Sequence, residues 1–244
     1  MFFEGKDVTI RFGGLVANSH VNMVVNQGEI VGLIGPNGAG KSTFFKAVCG
    51  INVPNEGSIL FEGKELVGLH PWQICALGIT CTFQLAETFP ALTVLETIMV
   101  GAHCRFHSTA QARAHASKIM EFVGITEHAN DKNNRLNLFT RKKVEICAAL
   151  ATSPKMLLLD EIFAGCTLSE DEELVKLVKR INKELGVTIL LVEHVLKVVH
   201  ELCNSVYVLE YGKIIASGAP GEVTKNELVI DAYLGKEDEA DAPN

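Results

Sequence analysis

The chain has 244 residues, 48% of them hydrophobic and 21% charged, with a formal net charge of -7. That length suits one core with an inserted lobe better than two large domains, and the acidic balance argues against a broad nucleic-acid surface. No apolar run approaches the roughly 20 residues that span a bilayer, and the opening residues Met1 to Asp7 lack the basic and long apolar segments of a secretory signal. Seven cysteines without a C-x-x-C pair predict reduced, mostly buried thiols in a soluble, cytosolic protein.

In chain order, residues 7–14 and 21–28 alternate polar and apolar side chains and predict two strands; residues 57–64 predict another strand and turn. Together these predict a small antiparallel sheet at the N-terminus. Residues 29–34 form a short apolar run that reads as a buried strand, and residues 43–49 read as a helix ended by Gly50. Between them stand Gly35, Pro36, Asn37, Gly38, Ala39, Gly40, Lys41, Ser42 and Thr43, which fit the phosphate-loop pattern G-x-x-x-x-G-K-[ST]. Glycines permit the tight backbone that aims several N–H groups at a polyphosphate, Lys41 adds charge at the β and γ phosphates, and Ser42 supplies a hydroxyl ligand for Mg²⁺. The helix dipole behind the loop favours the same anion. Phe12, on a strand near this cradle, is the candidate for stacking on adenine, with simple core packing as its alternative.

A short helix is predicted over 70–78 and a strand over 79–84, ending in Gln84. Residues 95–100, 109–122 and 142–151 read as helices, so that 86–153 forms a helical insertion in an α/β core made of 1–85 and 154–235. His103, Cys104 and His107 raise a metal reading, because i and i+4 histidines share a helix face, but ordinary exposed helix residues explain them as well. The apolar run 155–159 delivers Asp160 and Glu161 at a strand's C-terminal end, where α/β ligand sites lie. Asp160 can orient Mg²⁺ or its water, and Glu161 can position an attacking water. A helix with an apolar stripe follows over 170–185, then a buried strand over 187–192 that delivers Glu193 and His194, then a hairpin, 205–209 and 213–216, around Gly212. The acidic tail 236–244 is expected to be disordered.

The cradle at 35–43, Gln84 after a strand, a helical insertion, Asp160–Glu161 and His194 after a strand stand in an order that resembles the nucleotide-binding subunit of an ATP-binding-cassette (ABC) transporter. Arg11-Phe12-Gly13-Gly14-Leu15, Thr82-Phe83-Gln84, Leu92-Thr93-Val94-Leu95-Glu96 and Ala232-Tyr233-Leu234-Gly235 narrow the resemblance to the LivG-type ATPase of branched-chain amino acid importers. It implies an α/β fold: a P-loop NTPase (RecA-like) core with a small N-terminal antiparallel β subdomain and an inserted α-helical subdomain, over residues 1–235. It also implies ATP hydrolysis with Mg²⁺, Gln84 sensing Mg²⁺ and the γ phosphate, Glu161 holding the attacking water, and His194 acting as a γ-phosphate switch. The implied partners are integral membrane permease subunits and a second ATPase subunit, LivF-type or a further copy of the chain, in a head-to-tail dimer at the cytoplasmic face of the plasma (inner) membrane. No nucleic acid is implied. Phe89 and Leu92 are candidates to line a groove for a short permease helix.

Three stretches depart from the family pattern. The signature L-S-G-G-Q, which would meet the partner's ATP, stands here as Leu136, Asn137, Leu138, Phe139 and Thr140; Phe139 replaces a glycine and Thr140 the glutamine. Ile162 replaces the proline usual after the catalytic Glu, and Ala164-Gly165-Cys166-Thr167 replaces A-G-L-N. Two readings follow: an importer ATPase whose own site is served by an intact signature on a different partner, or a nucleotide-dependent regulatory subunit with weak hydrolysis.

Overall fold

In a computed structural model, which describes residues 1–82 and 89–234, the chain runs β1 (Phe3–Phe12), β2 (Leu15–Val25), β3 (Ile30–Ile34), α1 (Lys41–Val48), β4 (Glu56–Phe61), β5 (Lys64–Glu65), α2 (Pro71–Leu77) and β6 (Ile79–Cys81). It continues as α3 (Val94–Ala102), α4 (Thr109–Val123), α5 (Leu138–Ala151), β7 (Met156–Asp160), α6 (Leu168–Leu185), β8 (Thr188–Val192), α7 (Leu196–Leu202), β9 (Ser205–Glu210), β10 (Lys213–Gly218), α8 (Pro220–Val223) and α9 (Glu227–Leu234). One sheet, ordered β2-β1-β4-β5, is antiparallel; the other, ordered β10-β9-β3-β8-β7-β6, is parallel except for the β9–β10 hairpin.

Strand alternation divides the interior in two. Ile30, Ile34, Leu157, Leu159, Ile189, Leu191, Val206 and Val208 turn to one face of the large sheet, where they meet buried residues of α3 to α7. Val31, Leu33, Met156, Leu158, Leu190, Val192 and Leu209 turn to the other, against α1 and the antiparallel sheet. A parallel sheet covered on both faces needs apolar residues at every position, which is why β3, β7 and β8 are buried throughout. The helices begin and end on local chemistry. Thr93 with Glu96 and Thr167 with Glu170 make reciprocal caps for α3 and α6, and Gly78, Gly124 and Gly186 close α2, α4 and α6 in the left-handed conformation. Leu174, Leu177, Val178 and Ile181 form the buried stripe of α6.

Several expectations shift. The N-terminal strands are longer than the alternating segments, and Gly13–Gly14 is the hairpin turn between them, not part of a strand. His103 caps the end of α3 and residues 104–108 leave the helix, so His103 and His107 share no helix face; the His103 ring instead meets the Phe106 carbonyl at 3.0 Å. No group of three or more metal-binding side chains occurs among the described residues. Of the thiols, Cys49, Cys147 and Cys203 are buried, Cys75, Cys81 and Cys166 half-buried, and Cys104 exposed, so fewer are hidden than expected. The short helices α7, α8 and α9 escaped sequence reading because one or two turns carry too little periodicity. Gln84 and the tail 236–244 lie outside the described residues.

Candidate functional site: a phosphate cradle at the sheet edge

Parallel register brings the motifs to one edge. Leu33 pairs with Val192, and Val192 with Asp160, so Gly35, Glu161 and Glu193–His194 all emerge from the same ends of neighbouring strands. Between β3 and α1 the chain makes the cradle. Gly35 has φ 145 and Gly40 φ 104; a Cβ on Gly35 would lie 2.0 Å from the Leu209 carbonyl oxygen, and one on Gly40 2.3 Å from that of Ala17. Backbone crowding therefore demands glycine at both. The loop is also held from outside: the Gly212 N–H donates to the Ala39 carbonyl at 2.9 Å, and the Asn18 amide to the Gly40 carbonyl at 3.2 Å.

A cleft of about 410 Å³ opens over the cradle, lined by Asn37, Gly38, Ala39, Gly40, Lys41, Ser42, Thr43 and Glu161, with Phe12, Leu15, Val16, Ala17, Tyr211 and Gly212 as its outer wall. Phe12 is 51% exposed at the end of β1, which excludes its alternative as a core residue. Lys41 is buried, and its ammonium donates to the Gly35 carbonyl at 2.7 Å and the Pro36 carbonyl at 2.9 Å. Burial pulls its pKa below the ordinary lysine value, while Glu161, Asp160 and Glu193 oppose that shift. Asp160 is pushed up to about 6, first by burial and then by Glu161. Glu193, fully buried, is pushed up to about 7 by burial, although it accepts N–H bonds from Phe163 and His194.

The donor set suits a hard divalent cation. The Asp160 Oδ1 is buried without a hydrogen-bond partner among the described residues, a Ser42 hydroxyl lines the cleft, and a cation would offset the cost of burying the Asp160 charge. Glu161 holds φ 49, a left-handed conformation rare for a non-glycine residue, and its N–H donates to the Val192 carbonyl. The residues from 37 to 43, Phe12 and Glu161 share the cleft. Asp160 is buried behind it, and His194 is exposed beyond β8, on the same edge but outside the cleft wall. Arranged so, the edge can grip a polyphosphate by main-chain N–H groups and set carboxylates beside its end.

Residues 18–164 match the family described as ABC transporter. This chain belongs to that family. Residues 213–239 also match the narrower family described as branched-chain amino acid ATP-binding cassette transporter. The high-affinity branched-chain amino acid transport ATP-binding protein LivG of Escherichia coli is 36% identical over 93% of this chain and 95% of its own. Among solved structures, the ADP conformation of an ATP-binding cassette of an ABC transporter is 30% identical, with a TM-score of 0.86 over 96% of this chain and 99% of its own. The dimeric structure of a bacterial ABC transporter cassette is 25% identical, with a TM-score of 0.81 over 89% and 98%. The fold is that of a P-loop ATPase cassette, and the chain is an ABC ATPase. No helix of the described residues is long and apolar enough to cross a membrane.

In this cassette the altered signature stretch begins α5, and its side chains divide. Asn137 caps the helix, its Oδ1 accepting the Thr140 N–H at 2.8 Å. Leu136 and Thr140 are buried, Phe139 packs against the core under the Lys143 ammonium, and only Asn137 and Leu138 stand exposed. Sequence reasoning gave no role to four residues that contribute. Lys142, buried, donates to the Ile162 carbonyl at 2.6 Å and to that of Ala164, tying α5 to the turn after Glu161. Tyr211 and Gly212 reach the cleft from the β9–β10 turn, and the one available signal was the glycine there. Glu193 was seen only as a strand-end acid, since nothing local to residue 193 states its burial.

Proposed function

We propose that this ABC ATPase is the energising subunit of an importer for branched-chain amino acids, working at the cytoplasmic face of the plasma membrane against permease subunits. The observation that carries the proposal is the convergence of Lys41, Ser42, Asp160 and Glu161 on one phosphate cradle, in a chain whose residues 213–239 match the branched-chain family. Backbone N–H groups of 38–43 and the Lys41 ammonium bind the β and γ phosphates of ATP. Ser42, Asp160 and Gln84 are the residues that would hold Mg²⁺, which supplies positive charge to the phosphate oxygens. Phe12 stacks on the base. Glu161 orients the attacking water and takes its proton, and His194 contacts the γ phosphate once the dimer closes. Phosphoryl transfer needs placement and charge stabilisation more than covalent chemistry, and these groups supply both.

The partner follows from the signature. Phe139, packed against the core, adds bulk where close backbone approach is needed, and Thr140 is buried. In a head-to-tail pair this stretch faces the partner's nucleotide, whereas the cradle here faces the partner's signature. A LivF-type partner with an intact signature therefore leaves this chain's own site competent. Phe89, 52% exposed, presents an apolar side chain while the buried Asn133 amide holds its carbonyl at 2.9 Å; with Leu92 it is the candidate surface for a permease helix. The test is reconstitution of the chain with its permease, its second ATPase and the external binding protein in liposomes. ATP-driven uptake of leucine, isoleucine or valine is expected, and absence of uptake with turnover intact refutes the assigned solute.

A further inference from the structure

Away from the nucleotide cleft, thiols distant in sequence gather at one place. Cys49 follows directly after α1, Cys75 lies on α2 and Cys81 ends β6, and all three line an apolar pocket of about 330 Å³ together with Ile74 and Thr80. Cys49 is 5% exposed, whereas Cys81 and Cys75 are half-buried and open to the pocket. The neighbouring Cys81 thiol, ahead of burial, raises the Cys49 thiol well above the ordinary value. Cys104, exposed, lies outside the residues that line this pocket.

We propose that Cys49 and Cys81 form an oxidisable dithiol site, which hydrogen peroxide entering the pocket converts to a disulfide that staples the end of α1 to the edge strand β6. The more accessible Cys81, as thiolate, attacks one peroxide oxygen; the O–O bond breaks, hydroxide leaves, and Cys81 becomes a sulfenic acid. Cys49, the less accessible of the two, is the resolving thiol. Its sulfur attacks the Cys81 sulfur, the S–O bond breaks, and the departing hydroxide takes the Cys49 proton as water. Two thiols and one peroxide give one disulfide and two waters, with two electrons passing from sulfur to oxygen.

The staple acts on both walls of the phosphate site. Helix α1 begins at Lys41 and Ser42. Cys81 pairs with Leu158 of β7, and the next residue, Thr82, accepts the Asp160 N–H at 3.4 Å through its hydroxyl. A disulfide holds its sulfurs about 2.05 Å apart, closer than thiols in non-covalent contact, so bond formation draws the end of α1 towards that edge. The experiment treats the reduced full-length chain with hydrogen peroxide, alkylates the remaining thiols, and maps the digest without reduction. The expected result is a peptide pair linked through Cys49 and Cys81, loss of two hydrogens from the intact mass, and a loss of ATP affinity that dithiothreitol restores. Cys49→Ala and Cys81→Ala remove the linked peptide, and Cys104→Ala leaves it. Recovery of alkylated Cys49 while Cys104 alone is oxidised, or a bridge through Cys75 instead, overturns the proposal. Complete bridging with unchanged ATP affinity overturns its link to the phosphate site. The peptide map reads the dithiol whether or not the proposed transport function holds.

Discussion

Replacing Lys142 with methionine isolates the tie between the signature helix and the catalytic turn. Methionine keeps much of the apolar stem of a side chain that is 6% exposed, but it removes the ammonium from the Ile162 and Ala164 carbonyls. A hydrogen bond from a charged donor contributes about 1.5–3 kcal/mol net, and the lower figure suits both carbonyls because Ala164 is only half-buried. The sum is about 3 kcal/mol, reduced towards about 2 because the variant no longer buries a charge. Urea unfolding of the full-length chain should show a lower midpoint at unchanged slope. The Ala164 N–H donates to the Glu161 carbonyl, so loosening this turn should lower kcat for ATP more than it raises KM. A Lys142→Met protein within about 0.5 kcal/mol of the parent would refute the reasoning, because that is the range of surface substitutions that break nothing.

Glu193 gives a pH signature with a definite sign. Its folded-state pKa, about 7, lies above the ordinary 4.5, so the native state holds the proton more tightly, and the stability this contributes is present below pH 4.5 and lost as pH rises through about 7. The ceiling is about 3 kcal/mol, and the stability of Glu193→Gln relative to the parent should therefore rise between pH 4.5 and 8 in parallel denaturant titrations; a flat difference counts against burial as the cause. Glu161→Gln should retain ATP while turnover falls about a thousandfold, equivalent to roughly 4 kcal/mol of barrier; turnover within tenfold of the parent would remove Glu161 from the chemistry. Mixing the chain with a LivF-type partner should raise ATP turnover well above either protein alone, and simple additivity would argue against the mixed pair.

The phosphate loop was legible because its requirement is local: glycine conformations, a lysine and a hydroxyl within nine residues, between a strand and a helix. The strand-end acids Asp160 and Glu161 were legible for a related reason, since an uninterrupted apolar run followed by two carboxylates marks a buried parallel strand and its exit. Phe12 was named from an aromatic near the loop, but its exposure required the β1–β2 hairpin to be placed. The same placement corrected the histidines at 103 and 107, whose spacing meant nothing once α3 ended at Ala102.

What residue order determined by itself was the set of elements whose signals act over one or two turns: the cradle, the apolar strands, the amphipathic helix α6 and the order of the motifs along the chain. Only the tertiary structure decided that Thr140 is buried, that Lys142 anchors carbonyls about 20 residues away, that Glu193 loses its water, and that Cys49 and Cys81 line one pocket. The physical reason is that burial and electrostatic environment belong to packed neighbours from distant segments, and no window of sequence contains those neighbours.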